Sequence, residues 1–135
     1  MSKFIVAYAA AAVVFLLGDM VWLGVVAKTF YRDQLGPVLA PNPAIGVAVL
    51  FYALYLVGIV IFGVTAGLRD ESVKSALAFG ALFGFFAYAT YDLTNLATLK
   101  GWPWILAPVD LAWGTVLSAV ASAAGYAAAA WMLAR

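Results

Sequence analysis

Four long apolar runs constrain what this chain can fold into. They cover residues 4–27, 44–68, 73–99 and 104–133, and an α-helix needs about 20 apolar residues to cross the hydrocarbon layer of a membrane. Each run is apolar nearly all round, unlike the one-sided helices of soluble domains. The turns after the second and third runs are short, which favours antiparallel neighbours. The sequence therefore predicts an all-α polytopic membrane protein, with a single transmembrane domain built as an antiparallel bundle of four transmembrane helices.

The composition excludes several kinds of chemistry. Only 10% of the residues are charged while 67% are hydrophobic, so a soluble domain of this size is excluded. The chain has neither cysteine nor histidine, and we therefore expect no haem, thiolate or histidine-metal site. The formal net charge of +1 gives no reason to expect nucleic acid as a partner. The lipid bilayer is the expected partner, and no cofactor is identified.

Lysine and arginine in the connections favour one orientation in the membrane. Loops on the cytoplasmic side carry an excess of these residues. An even number of helices places both termini on one side. That side has four of these residues and the other side has three: Lys3, Arg69, Lys74 and Arg135 against Lys28, Arg32 and Lys100. We therefore expect a multi-pass protein of a bacterial-type inner (cell) membrane with both termini in the cytoplasm.

Three aspartates lie inside the apolar runs, namely Asp19, Asp92 and Asp110. An ionised side chain at the membrane centre costs at least about 2.5–3.5 kcal/mol, and such residues are functional candidates by default. With a rise of 1.5 Å per residue, each lies roughly 9–13 Å inside the same membrane face. A structural alternative is that protonated aspartates hold the helices together through hydrogen bonds, at about 0.6–1 kcal/mol each.

Aromatic and polar residues accompany these aspartates. Asp19 and Asp110 each begin a D-x-x-W block, and a spacing of three places the carboxyl and the indole on one helical face. The third run carries Y-D-L-T-N around Asp92. Together the blocks predict one pocket that opens on the side opposite the termini. The predicted ligand- or proton-binding residues are Asp19, Trp22, Tyr88, Tyr91, Asp92, Asn95, Asp110 and Trp113.

The same blocks carry a family resemblance. The chain resembles a family of small bacterial predicted membrane proteins of unknown function. The resemblance lies in D-x-x-W-L-G at Asp19 to Gly24, the Phe30-Tyr31 pair, the stretch Tyr91 to Leu99, and D-x-x-W-G at Asp110 to Gly114. The resemblance covers essentially the whole chain, and Y-D-L-T-N is its most specific element. It implies a four-helix integral membrane protein and no established activity.

Three functions fit these residues. The first is proton-coupled transport or binding of a small cation or cationic amphiphile, because carboxylates and aromatic faces both attract cations; a homodimer would provide alternating access. The second is a structural or accessory membrane subunit, in which Gly80 and Gly84 serve helix packing. The third is a Mg²⁺-dependent lipid-modifying enzyme with Asp19, Asp92 and Asp110 as metal ligands. An enzyme ranks last because the sequence has no clustered aspartate motif and no phosphate-binding glycine loop.

Overall fold

A computed structural model describes residues Ser2 to Arg135 and confirms the all-helical fold. Four of its helices are long and apolar enough to cross a membrane. In chain order the helices are α1 (Ser2–Val26), the short α2 (Phe30–Leu35), α3 (Ile45–Asp70), α4 (Val73–Thr98) and α5 (Leu106–Leu133). Two spanning helices contain π-helical segments, at Trp22–Val26 in α1 and at Ile59–Val64 in α3.

The helix ends follow from local chemistry. The turn between α3 and α4 contains Glu71 in the left-handed region, with a φ of 50°. Ser72 then starts α4, because its hydroxyl accepts a hydrogen bond from the Lys74 backbone N–H at 3.2 Å and satisfies one of the unpaired amides of the first turn. The fourth run was expected to start at residue 104, but the helix begins at Leu106. Pro108 therefore lies in its first turn, where a missing N–H has no helical partner to lose.

Helix α5 is the centre of the bundle because it packs against α1, α3 and α4. Small residues predominate on its buried face, which lets three neighbours approach one helix. The buried small residues of α5 are Ala107, Gly114, Ser118, Ala121, Ser122, Gly125 and Ala129.

The pair Gly80 and Gly84 shows how closely the helices approach. A Cβ atom at Gly84 would lie 2.5 Å from the carbonyl oxygen of Gly114, and one at Gly80 would lie 2.8 Å from the carbonyl oxygen of Ser118. Real Cβ atoms essentially never show such contacts. The interpretation of this G-x-x-x-G pair as a packing feature of α4 against α5 is therefore confirmed.

The connection between α1 and α3 folds back over the end of the bundle. Leu35 of α2 forms a buried apolar cluster with Trp102 and Leu106, and Phe30 and Tyr31 pack against this cluster. Burying such side chains stabilises a fold by about 1.5–3 kcal/mol each, so α2 is anchored to the bundle. We call the half of the bundle next to α2 the loop-side half and the half next to the chain ends the termini-side half.

Candidate functional site

All three intramembrane aspartates lie in the loop-side half, on three different helices. Asp19 is half-buried on α1, whereas Asp92 on α4 is 0% exposed and Asp110 on α5 is 9% exposed. Their surroundings differ, because two of the carboxyls accept hydrogen bonds and the third accepts none. The three therefore have different chemical roles open to them.

Asp19 is held by side chains of two other helices. The Tyr52 hydroxyl of α3 donates to Oδ2 at 2.5 Å, and the Trp113 indole N–H of α5 donates to Oδ1 at 3.3 Å. These two bonds tie α1 to α3 and α5 at the level of the carboxyl.

Asp110 is linked to the connection that carries α2. The Tyr31 hydroxyl donates to Oδ1 of Asp110 at 2.9 Å and accepts from the Trp22 indole N–H, also at 2.9 Å. Burial raises the pKa of Tyr31 above its ordinary value, and the neighbouring Asp110 carboxyl adds to the rise, although the bond from Trp22 opposes it. Tyr31 therefore stays protonated and keeps donating to Asp110.

The two D-x-x-W blocks are crossed. Trp113, from the Asp110 block, donates to Asp19, while Trp22, from the Asp19 block, reaches Asp110 through Tyr31. The two indoles stack with centroids 4.6 Å apart and planes 9° from parallel. Aromatic pairs of this kind contribute about 0.5–1.5 kcal/mol beyond their buried area. Each tryptophan is thus linked by hydrogen bonds to the aspartate of the other block, Trp113 directly and Trp22 through Tyr31. The stacked indoles connect the two blocks.

Asp92 is a buried carboxyl without a partner. Among the described residues, nothing forms a hydrogen bond with either of its oxygens, although Asp110 and Tyr31 lie within electrostatic range. An unpaired buried charge is far more costly than an unpaired neutral group. A buried group that is left unsatisfied in this way needs an explanation.

A cavity of about 400 Å³ lies beside Asp110 in the loop-side half. Its walls are aromatic, and Asp110 is the one charged side chain among the described residues that line it. The lining residues are Phe51, Tyr55, Ala87, Tyr88, Tyr91 and Asp110.

The tyrosine walls are fixed by their neighbours. Tyr55 and Ser118 share a hydrogen bond of 2.7 Å, and the Tyr55 and Tyr88 rings meet edge to face with centroids 6.1 Å apart. The Tyr88 ring lies against Gly114, where a Cβ atom would overlap it. The glycine of the D-x-x-W-G block thus makes room for an aromatic wall of the cavity.

The structure divides the expected single pocket in two. Of the predicted residues, Tyr88, Tyr91 and Asp110 line the cavity. Asp19 instead lies in a separate open groove between α1 and α3. Asn95 is half-buried on α4, and within residues Ser2–Arg135 its side chain forms no hydrogen bond.

Sequence reasoning missed several aromatic residues that the structure brings to the aspartates. Tyr31, Tyr52 and Tyr55 supply hydroxyls next to carboxyls or next to the cavity. The available signal is modest: Tyr52 and Tyr55 lie one turn apart in a run that is otherwise almost entirely apolar. Tyrosines at that spacing share a helical face. That face could have been predicted to point towards the aspartates.

Across residues Ser2–Arg135, no group of three or more histidine, cysteine, aspartate or glutamate side chains is placed to hold a metal ion. The Asp92 and Asp110 carboxyls are neighbours, and Asp19 lies in the other groove.

Comparison with known proteins gives a family. The family model described as "Predicted membrane protein (DUF2177)" matches residues 4–127. No curated protein and no solved structure matches the chain.

Proposed function

The chain belongs to the predicted membrane protein family DUF2177, whose function is unknown, and from that premise we propose that it binds a small organic cation and exchanges it for a proton. The observation that carries the proposal is the cavity of about 400 Å³ with aromatic walls and one lining carboxyl, Asp110. Ligand sites for small molecules have this size and are mostly apolar with a few placed polar groups.

A cation fits this cavity better than an anion or a neutral molecule. Aromatic faces attract a positive charge by about 0.5–2 kcal/mol each, most strongly where water is excluded. Asp110 adds a full negative charge when it is deprotonated, and no lysine or arginine is among the described residues that line the cavity. Four aromatic side chains line the cavity and supply the rings, namely Phe51, Tyr55, Tyr88 and Tyr91.

Asp92 supplies the proton in this proposal. With the cavity empty, the neighbouring carboxyls of Asp92 and Asp110 hold a proton, because two adjacent buried carboxylates repel each other. Binding of one monovalent cation releases one proton to water, so the charge inside the bundle does not change. This exchange couples cation movement to a proton gradient.

Transport needs access to the cavity from both sides of the membrane. We propose that the chain forms a homodimer in the inner membrane. In this dimer the second copy provides the access from the opposite side. With both termini in the cytoplasm, the loop-side half and its cavity face the outer side.

Binding of tetraphenylphosphonium to the purified full chain in detergent, measured by isothermal titration calorimetry, tests the proposal. Asp110→Asn should weaken binding at least tenfold, which corresponds to about 1.4 kcal/mol. Asp33→Asn is the matched control, because Asp33 is exposed on α2 and should leave the affinity unchanged. Wild-type affinity should rise with pH, since the cation competes with a proton, and titrations in buffers of different ionisation enthalpy should show about one proton released.

Tetraphenylborate tests whether charge, rather than shape, determines binding. This anion has the same four-ring shape, and it should bind at least tenfold more weakly than tetraphenylphosphonium. Equal binding of the two ions, or full affinity in Asp110→Asn, would contradict the proposal. In proteoliposomes, a pH gradient should drive uptake of the phosphonium by wild type, and Asp92→Asn should abolish the dependence on the gradient.

A further inference from the structure

The groove that contains Asp19 is a second opening in the bundle that is lined by a carboxyl. It has a volume of about 430 Å³ and is separate from the cavity beside Asp110. Its lining residues are Leu16, Asp19, Met20, Leu23, Gly24 and Tyr52. Most of these side chains are apolar and face outward, with Met20 68% exposed, so in a membrane the groove faces lipid.

A carboxyl that faces lipid needs a compensating partner. Asp19 is half-buried and lies about 10 Å from the end of α1 at Val26, since seven residues of helix rise by 1.5 Å each. The bonds from Tyr52 and Trp113 occupy two acceptor positions, and a carboxylate has about four. Among the described residues no further donor fills the remaining positions, and Asp19 lines the groove.

We propose that this groove is a second cation site, which takes a single-chain amphiphilic ammonium directly from the bilayer. The inference rests on the proposed function, because it identifies an alkylammonium amphiphile as a substrate class and a lipid-facing route to the protein. The positive head group lies at Asp19. The alkyl chain lies along Leu16, Met20 and Leu23, where its burial is favourable at about 25 cal/mol per Å² of apolar surface.

The groove is also linked to the cavity. Trp113, which donates to Asp19, stacks on Trp22, which donates to the Tyr31 hydroxyl bound to Asp110. An amphiphile at Asp19 therefore lies two indoles and one phenol away from the carboxyl of the cavity.

Electron paramagnetic resonance in lipid nanodiscs tests this site with the full chain. The probe is a twelve-carbon primary ammonium spin-labelled on its chain, and its matched control is the sulfate of the same chain. Wild type should show a motionally restricted component with the ammonium at least tenfold stronger than with the sulfate. Asp19→Asn should lower the ammonium affinity at least tenfold and leave tetraphenylphosphonium binding within about threefold. Asp110→Asn should show the reverse.

A second variant guards against a folding defect in Asp19→Asn. A Cβ atom at Gly24 would meet nothing within 4 Å, and Gly24 lines the groove, so Gly24→Phe adds bulk to the groove and leaves the carboxyl in place. It should also lower ammonium binding at least tenfold. Unchanged ammonium binding in both variants would overturn the site, whereas loss of phosphonium binding in Asp110→Asn alone would still support the cavity.

A second copy of the chain is the competing occupant of the groove. The protein has no native cysteine, so Met20→Cys reports directly on a neighbour. Oxidation of this variant in nanodiscs should give little disulfide-linked dimer, and the amphiphile should protect the thiol from a maleimide. Near-complete cross-linking without amphiphile would show that a second copy covers the groove and would overturn the proposal.

Discussion

The two halves of the bundle differ in the side chains that lie between their helices. In the termini-side half, the buried cluster consists of Ala7, Val60, Val64 and Ala129, and the helices approach at glycine and serine. In the loop-side half, tyrosines and tryptophans lie between the helices and next to the carboxyls of Asp19 and Asp110. Small residues close the space between helices, whereas bulky rings fixed by hydrogen bonds keep it open. The cavity exists because this one bundle changes its contact residues halfway along.

Gly80→Val disrupts the close packing of α4 against α5 and has the largest expected effect on the stability of the fold. Because a Cβ atom at Gly80 already overlaps Ser122 and the backbone of α5, a valine should destabilise the fold by about 2–3 kcal/mol. Unfolding by sodium dodecyl sulfate, followed by circular dichroism, measures this. Gly46→Val is the control, since a Cβ atom at Gly46 meets nothing within 4 Å. Equal stability of the two variants would show that the half is not close-packed.

Asp92→Leu is expected to stabilise the fold rather than destabilise it. Replacing a buried, unpartnered carboxyl with an apolar side chain of similar size removes an unsatisfied polar group, which costs about 1–3 kcal/mol. We therefore expect a gain in stability of about 1 kcal/mol, together with loss of proton exchange in proteoliposomes. Asp92→Asn keeps the polar group and should give no such gain. A strongly destabilised Asp92→Leu would mean that this carboxyl holds the bundle together.

Tyr31→Phe has the smallest expected effect on the bundle, because it loosens the attachment of α2. The variant loses both hydrogen bonds of the hydroxyl between Trp22 and Asp110, each worth about 0.6 kcal/mol, the average for a hydrogen bond inside a membrane protein. Limited proteolysis between Gly36 and Ala44 should become a few-fold faster. Tyr126→Phe is the control, because no hydrogen bond of the Tyr126 hydroxyl is present within residues Ser2–Arg135. Equal cleavage rates would separate α2 from the Asp110 network.

The sequence predicts the helices well because length and hydropathy are local properties. It also places Asp19, Asp92 and Asp110 at one level, since depth follows from the count of residues to each helix end. The hydrogen-bond partners of these aspartates were not predicted, because they lie far away in the chain. The bond from Trp113 to Asp19 joins residues 94 apart in the chain, and the bond from Tyr31 to Asp110 joins residues 79 apart.

Such contacts depend on how each helix is rotated about its axis, which a nearly uniform apolar surface does not specify. The spacing within each D-x-x-W block places an indole and a carboxyl on one face of one helix. The crossed pairing joins neighbouring helices, and the spacing within one helix does not predict it. The split between the cavity and the Asp19 groove has the same cause.

The central position of α5 has a consequence for biogenesis. This helix contacts all three other spanning helices, yet it is the last of the four to leave the ribosome, because synthesis runs from the N-terminus. Until α5 arrives, Asp19 lacks its bond from Trp113 and Gly80 lacks its close contacts with Ser118 and Ser122. The three earlier helices therefore stay in the bilayer or in the insertion machinery while Asp19 lacks one of its hydrogen bonds. Assembly is completed in one late step, when α5 is inserted.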